Sequence, residues 1–222
     1  MKAAVQEYFT DLFNLFYPNV CLSCSKTLLK GEEVLCFKCE NELPQTGYWN
    51  QPDNRLAQRF WGRVPLQGCV ALFKFHKGGE IQNLLHALKY KGRKEAGEYC
   101  GAMLGQYLNQ SDSVIQNIDL IVPVPLHWKK EKMRGYNQCE PFAKGLSKAL
   151  DVPYSLTALE RIHENTSQTK KSKFERFENV SQIFGVKDAT QLQGKHVLLV
   201  DDVVTTGSFF ACNYNFITFC FI

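Results

Sequence analysis

The sequence predicts an α/β fold with a mainly parallel sheet, preceded by an N-terminal helix and a small four-cysteine module. Short apolar runs typical of strands alternate with helical patterns over most of the chain, which is the arrangement that builds parallel sheets. The run at residues 197–200 has the length and apolar character of a strand buried on both faces. Two C-x-x-C pairs near the start predict a separate metal-binding module.

The composition indicates a globular protein. A chain of 222 residues with 45% hydrophobic content can bury a sizeable core in one main domain with an appendage. The net charge of +4 is too small to indicate an obligate nucleic-acid binder, although short basic runs could hold phosphates. Because Glu7 and Asp11 interrupt the first apolar segment, we expect no signal peptide. No charge-free stretch before Asp202 is long enough to cross a membrane, so we expect a cytoplasmic protein.

The first two elements are a helix and a zinc module. Apolar residues at helical spacing predict an amphipathic helix over residues 1–17. Residues 18–45 contain two C-x-x-C pairs, formed by Cys21, Cys24, Cys36 and Cys39. This spacing is typical of a closed tetrahedral zinc site, and two disulfides are the alternative that a reducing compartment disfavours. We expect structural zinc, because the segment is too short to bury a core and zinc supplies about 10–16 kcal/mol in small finger peptides.

The main domain follows a predicted linker. Residues 46–64 are rich in turn formers, and residues 65–208 carry the alternating pattern. In order, the pattern predicts a strand at 69–75, helices at 79–90 and 95–108, a strand at 118–126, a basic loop at 127–134, a helix at 137–150, an extended piece at 152–156 and the strand at 197–200. The single cysteines are predicted to be small buried hydrophobes; they are Cys69, Cys100 and Cys139.

Two adjacent acids mark the end of the last predicted strand. Asp201 and Asp202 lie at the edge where open α/β sheets bind ligands. Residues 204–208 then form a turn of small residues whose backbone N–H groups can converge on a phosphate. Carboxylates accept hydrogen bonds from neighbouring ribose hydroxyls, so the combination predicts a sugar-phosphate site. A strand that ends in a solvated acidic turn is the alternative.

This segment resembles the phosphoribosyl pyrophosphate signature of type I phosphoribosyltransferases. The resemblance implies that fold, and it implies ribose contacts for Asp201 and Asp202. It implies contacts to the 5′-phosphate for Thr205, Thr206, Gly207 and Ser208. Together with residues 84–93, 119–138 and 160–184 and the cysteine ribbon, the chain resembles the ComF family of competence-associated, phosphoribosyltransferase-like proteins.

Further site residues follow from this resemblance. Arg134, in the basic stretch, is a predicted catalytic residue with Asp201 and Asp202, because its guanidinium fork could meet pyrophosphate. A solvated basic loop is the alternative for this stretch. Lys89 and Arg93 would contact pyrophosphate or substrate, as part of the family's Lys-Tyr-x-Gly stretch. Arg161 and Arg176 fall in a segment similar to the mobile flap of the family, with a charged surface loop as the alternative.

The resemblance implies displacement of pyrophosphate from the anomeric carbon of phosphoribosyl pyrophosphate, with Mg²⁺ on the diphosphate. The acceptor is unassigned, and whether the chain is an enzyme is left open. The alternative is a non-catalytic accessory protein that handles single-stranded DNA together with DNA-uptake proteins. One segment combines lysines, which could follow the phosphates of single-stranded DNA, with an aromatic ring that could stack on a base. Its residues are Lys170, Lys171, Lys173 and Phe174.

The last residues, 209–222, depart from the family pattern. Phe209 stands where a threonine or serine is expected, and no charged residue follows Asp202. The family continues with an amphipathic helix and a last strand, and this tail encodes neither clearly. Its aromatic and β-branched content favours an extended segment over a helix. We therefore expect a truncated or frame-altered carboxyl end. If the tail is genuine, we expect weaker binding of phosphoribosyl pyrophosphate than in a full-length relative.

Overall fold

Helices and strands alternate along the described part of the chain. The computed structural model describes residues 18–62, 66–110, 115–162 and 183–203, and the backbone of one strand at 216–220. The helices are α1 (Phe37–Glu42), α2 (Arg55–Gln58), α3 (Glu80–Tyr90), α4 (Lys94–Gln110), α5 (Trp128–Arg134) and α6 (Cys139–Leu150). The strands are β1 (Leu66–Ala71), β2 (Leu120–Pro123), β3 (Leu159–Arg161), β4 (Phe184–Val186), β5 (Val197–Asp201) and β6 (Phe216–Cys220). Short 3₁₀ helices lie at Tyr48–Asn50 and Ala189–Gln191.

Four parallel strands form the central sheet, in the order β1-β6-β5-β2. Leu199 of β5 is in register with Val122 of β2 on one side and with Thr218 of β6 on the other. The first four residues of β5 are buried, as a strand covered on both faces requires. The predicted α/β fold with a mainly parallel sheet is confirmed.

Strand β6 lies inside the sheet, between β1 and β5. The prediction of an extended tail is confirmed at residues 216–220, but the expectation that the tail supplies no clear last strand is wrong there. The physical reason is that a strand paired on both sides needs continuous apolar and β-branched residues, which this segment has, and not polar alternation. Residues 209–215 and 221–222 lie outside the described residues, as does the predicted helix at 1–17.

The sheet has a hydrophobic core on each face. Alternate residues of β5 point to opposite faces, so Leu198 and Val200 belong to one core and Val197 and Leu199 to the other. The first core joins the cysteine module to α3, α4 and α6. The second core contains Leu56 and Phe60, which lie in the segment predicted as a linker.

Helices α4 and α6 cross at very close range. A Cβ atom added to Gly101 would lie 2.2 Å from the carbonyl oxygen of Phe142, and one added to Gly145 would lie 2.1 Å from that of Glu98. Both separations are much shorter than a van der Waals contact. The two backbones can therefore approach this closely only because the residues at the crossing are glycines. This packing fixes α6, whose first residue contacts the functional site described below.

Two local features differ from the predictions. The basic stretch predicted as a loop is helix α5, which His127 caps by accepting a hydrogen bond from the backbone N–H of Lys129. The helix ends at Gly135, whose φ of 80° is left-handed. Strands β3 and β4, which were not predicted, pair antiparallel. Within the described residues, no helix has both the length and the apolar character needed to cross a membrane.

Candidate functional site

The two acids lie at the carboxyl end of β5, as predicted. Asp201 is the last residue of the strand, and its Oδ1 atom accepts a hydrogen bond of 2.8 Å from the backbone N–H of Asp202. Asp202 is buried, with 9% of its surface exposed, and Asp201 is half-buried. The end of the strand therefore holds two carboxylates in a largely desolvated position.

Lys89, near the end of α3, reaches this pair. Its Nζ atom lies 2.7 Å from Oδ2 of Asp202, and the two side chains are 19% and 12% exposed. A lysine predicted to contact the ligand thus lies at the acids, in an ion pair that solvent screens only partly. A further contact of Lys89 with the ligand stays a prediction.

Within the described residues, two neutral groups donate hydrogen bonds to the Asp201 carboxylate. Besides the backbone N–H of Asp202, the Cys139 thiol lies 3.8 Å from its Oδ1 atom. Burial, followed by the charge of Asp202, raises the pKa of Asp201 to about 7. Burial also raises the pKa of the Cys139 thiol well above its usual range, so this group stays protonated and donates. The pKa of Asp201 therefore lies well above that of an ordinary aspartate.

Arg134, the last residue of α5, is tied to α3. Its guanidinium lies 5.5 Å from the centre of the Tyr90 ring, and Nη1 donates a 2.7 Å hydrogen bond to the side-chain oxygen of Gln138. Its Nε atom is buried and has no hydrogen-bond partner among the described residues. Tyr90 follows Lys89 directly, so the Arg134 side chain lies close to the end of α3, the helix that carries Lys89. The unused donor is suited to an anion.

The other predicted residues lie in different surroundings. Arg93 forms an ion pair with Glu95 at the turn between α3 and α4. Arg161 lies on β3, with its guanidinium 5.0 Å from the centre of the Phe184 ring. The remaining predicted positions lie outside the described residues; these are Arg176, Thr205, Thr206, Gly207 and Ser208, and also Lys170, Lys171, Lys173 and Phe174. Their roles stay predictions.

Sequence reasoning missed the role of the start of α6. Cys139 was predicted only to be buried, which is confirmed at 1% exposure, yet it also donates to Asp201. Asn137 holds this turn, since its side chain donates to the carbonyl oxygen of Val124 and accepts from the backbone N–H of Cys139. The available signal was the position of these residues directly after the basic stretch.

The four cysteines of the N-terminal module form one cluster. Their Sγ atoms all lie within 4.8 Å of one another, and those of Cys24 and Cys36 are 3.7 Å apart. A tetrahedron with Zn–S bonds of about 2.3 Å has sulfur atoms about 3.8 Å apart, whereas disulfide sulfurs are about 2 Å apart. All four cysteines are free. The cluster therefore fits a metal ion and not the alternative pair of disulfides.

Backbone N–H groups support negative charge in this cluster. The N–H of Cys36 lies 3.3 Å from Sγ of Cys21. Burial alone would raise the pKa of Cys21, but hydrogen bonds from the backbones of Cys24, Cys36 and Ser23 lower it to about 7. The module is also fixed to α3, because the side chain of Asn83 donates a 2.9 Å hydrogen bond to the carbonyl oxygen of Ser23.

Comparisons with known proteins agree with this geometry. Residues 136–208, which include β5 and the acidic pair, match the family described as "Phosphoribosyl transferase domain". The "DNA utilization protein YhgH" of Escherichia coli K12 is 30% identical, over 85% of this chain and 79% of that protein. The "Competence protein ComFC" of Bacillus subtilis is 38% identical, over 82% of this chain and 76% of that protein. The "Competence protein F" of Haemophilus influenzae is 25% identical, over 87% of this chain and 88% of that protein.

Among solved structures, a glutamine phosphoribosylpyrophosphate amidotransferase from Bacillus subtilis, complexed with ADP and GMP, resembles 54% of this chain and 25% of that chain. The identity is 21% and the TM-score is 0.32. The sheet, the acidic pair and the matched region define a phosphoribosyltransferase-type domain joined to a four-cysteine module. The chain belongs to the ComF family of competence-associated proteins.

Proposed function

We propose that the protein binds phosphoribosyl pyrophosphate and transfers its phosphoribosyl group to an acceptor, releasing pyrophosphate. The observation that carries this proposal is the Asp201–Asp202 pair at the carboxyl end of β5, inside the region that matches a phosphoribosyl transferase domain. We assign this activity to residues 65–208 and metal binding to residues 18–45.

In this proposal the acids accept hydrogen bonds from the two ribose hydroxyls. The buried, unpartnered Nε of Arg134 supports a contact between this residue and the pyrophosphate, with Lys89 nearby at the end of α3. The 5′-phosphate binds the turn that follows the acids, formed by Thr205, Thr206, Gly207 and Ser208. Further phosphate contacts are proposed for Arg93, Arg161 and Arg176.

The reaction breaks the bond between the anomeric carbon and a pyrophosphate oxygen, and the electron pair leaves with pyrophosphate. The acceptor supplies the electron pair of the new bond. The acids favour the positive charge that develops on the sugar, acting through the ribose hydroxyls. We propose that Mg²⁺ would accompany the diphosphate of the donor. When bound there, Mg²⁺ supplies neutralisation of the diphosphate charge.

For the N-terminal module we propose a structural zinc ion. Cys21, Cys24, Cys36 and Cys39 would hold it. Four protein ligands close a tetrahedral site, which leaves no open position for chemistry. Because such a site requires four reduced thiolates, we also propose that the protein works in the cytoplasm.

A second candidate function is the handling of single-stranded DNA during competence. The names of two relatives, "DNA utilization protein" and "Competence protein F", motivate this possibility. One described feature favours it: Tyr90 and Trp128 are each 62% exposed and lie among cations, with Lys129 5.7 Å from the centre of the Trp128 ring. Rings stack on bases while cations follow the phosphates. We expect binding that weakens steeply with salt, and no binding at low salt would exclude this candidate.

Calorimetry tests the first proposal. Phosphoribosyl pyrophosphate with Mg²⁺ is titrated into the wild-type chain, the double variant D201N/D202N and the control D53N. Asp53 is an exposed acid in the segment before α2, so its substitution leaves binding unchanged. We expect the double variant to lose at least about tenfold in affinity, since two charge-assisted hydrogen bonds weaken. Equal affinity in the wild type and the double variant would refute the proposal.

A further inference from the structure

Among the residues that the structure describes, the two acids of the pair are unequally neutralised. Two carboxylates lie at the end of β5, and one ammonium group, that of Lys89, lies 2.7 Å from Asp202. Within the described residues, the Asp201 carboxylate accepts hydrogen bonds from the backbone N–H of Asp202 and from the Cys139 thiol. The guanidinium of Arg134 contacts the Tyr90 ring and the Gln138 side chain.

We propose that Lys89 is a positioning residue: it pairs with Asp202 and so leaves Asp201 as the acid that takes up and releases the proton of the pair. The inference about the carboxylates stands on the ion pair itself. Its consequence for ligand binding rests on the proposed function, because it concerns the acids that would hold the ribose.

Electrostatics explains why one cation cannot keep both acids charged. Two neighbouring carboxylates in a desolvated position repel each other, so the second ionisation is costly unless a cation compensates it. The direct contact with Lys89 compensates Asp202. Neutral donors stabilise a carboxylate less than an ammonium does, which agrees with the raised pKa of Asp201.

Lys89 is held in place by the helix that carries it. At the start of α3, Asn83 is bonded to the cysteine module through Ser23. At the end of α3, the Tyr136 hydroxyl donates to the carbonyl oxygen of Leu88, and the Leu88 side chain is buried. A lysine on an anchored helix loses less conformational entropy when it pairs with Asp202 than one on a mobile loop. The cysteine module thus helps to position the helix that carries Lys89.

The arrangement has a consequence for the ligand. When Asp201 is ionised, its charged carboxylate accepts a hydrogen bond from a ribose hydroxyl. When Asp201 is protonated, it has no charge to strengthen this bond, and its own O–H also needs an acceptor. Donor affinity therefore falls as the pH is lowered through the pKa of Asp201. Without Lys89 the pair would share one proton up to a higher pH, and the fall in affinity would begin at a higher pH.

The direct test is a pH titration of the ligand-free full chain with ¹³C-carboxyl-labelled aspartate, followed by NMR. Signals are assigned with D201N and D202N. We expect K89M to raise the apparent pKa of the pair by about one or more, because the compensating charge is lost. K89R keeps the charge and restores the wild-type midpoint. The control K77M removes an exposed lysine from the loop before α3 and changes nothing.

The D202N variant provides an independent arm, which remains informative if K89M fails to fold. Removing the negative charge of Asp202 frees Lys89 to compensate Asp201, so the pKa of Asp201 should fall. A K89M midpoint equal to that of the wild type in the folded protein, or an unchanged Asp201 in D202N, would overturn the inference.

Calorimetry over the same pH range separates the two proposals. If phosphoribosyl pyrophosphate with Mg²⁺ does not bind at any pH, the proposed function fails while the NMR titration still decides the role of Lys89. If it binds to the wild type and to K89M with the same pH midpoint, the inference fails and the proposed function stands.

Discussion

The Sγ atom of Cys139 lies 3.8 Å from Oδ1 of Asp201, so the first residue of α6 contacts the end of β5. The thiol is buried and donates a hydrogen bond as a neutral group. Helix α6 is itself locked against α4 by the glycine crossing. The position of one site carboxylate therefore depends on the packing of two helices that supply none of the proposed ligand-binding side chains.

The first prediction concerns this contact. Replacing Cys139 with alanine removes a donor from the Asp201 carboxylate, so the pKa of Asp201 should rise further. The C139S variant retains a donor and should remain close to the wild type. Both are measured by the NMR titration of labelled aspartate. If C139A left the midpoint unchanged, the thiol would have no electrostatic role.

The second prediction concerns the pH dependence of stability. The pKa of Asp201 is about 7 in the folded chain and near its usual value of about 3.9 in the unfolded chain. Between these values the unfolded chain has lost a proton that the folded chain keeps, so Asp201 makes the free energy of unfolding fall as the pH rises. Below about 4 both states are protonated, and the penalty is absent.

Replacing Asp201 with asparagine should remove this dependence. We expect D201N to be more stable than the wild type at pH 8 by at least about 1 kcal/mol, with the difference disappearing toward pH 4. Urea unfolding at a series of pH values measures this. A constant difference between the two proteins over that range would contradict the raised pKa.

The third prediction concerns the crossing of α4 and α6. In G145A the new methyl group would meet the carbonyl oxygen of Glu98 at 2.1 Å, so the helices must separate. We expect a loss of about 1–3 kcal/mol in the free energy of unfolding. The control Q106A changes an exposed residue of α4 and should stay within about 0.5 kcal/mol of the wild type. Equal stability of G145A and Q106A would show that the crossing is not close-packed.

The fourth prediction concerns the cysteine module. The wild type should bind one zinc ion per chain, and C36S should lose it. Because the module shares a core with α3 and α4, metal removal by a chelator should lower the melting temperature of the wild type by about 5 °C or more. C36S should not respond to the chelator. A metal-free wild type with an unchanged melting temperature would contradict the structural role.

The predictable part of the fold was the part with strong local signals. The apolar run of β5 and the periodic residues of α3, α4 and α6 indicate their structures independently of tertiary contacts. The site acids were predictable for the same reason, since they follow a strand that is buried on both faces. The spacing of the cysteines predicted the cluster that could hold a metal ion.

The missed features depend on contacts between distant segments. Strands β3 and β4 have three residues each, too few to show alternation, and their pairing defines them. Helix α5 has no buried residue, so its sequence carries no apolar periodicity and its ends are set by His127 and Gly135. The ion pair of Lys89 with Asp202 joins α3 to the end of β5. No local sequence pattern predicts which of the two acids the lysine contacts.

The central claim is that the two aspartates hold the vicinal hydroxyls of a ribose. The most direct measurement compares the affinities of ribose 5-phosphate and 2-deoxyribose 5-phosphate for the wild type and for D201N/D202N. We expect the wild type to prefer the ribose compound by about tenfold, because the missing hydroxyl leaves a buried carboxylate without its hydrogen bond, and we expect the variant to lose this preference. Equal affinity of the wild type for the two sugars, or a preference that survives in the variant, would contradict the account.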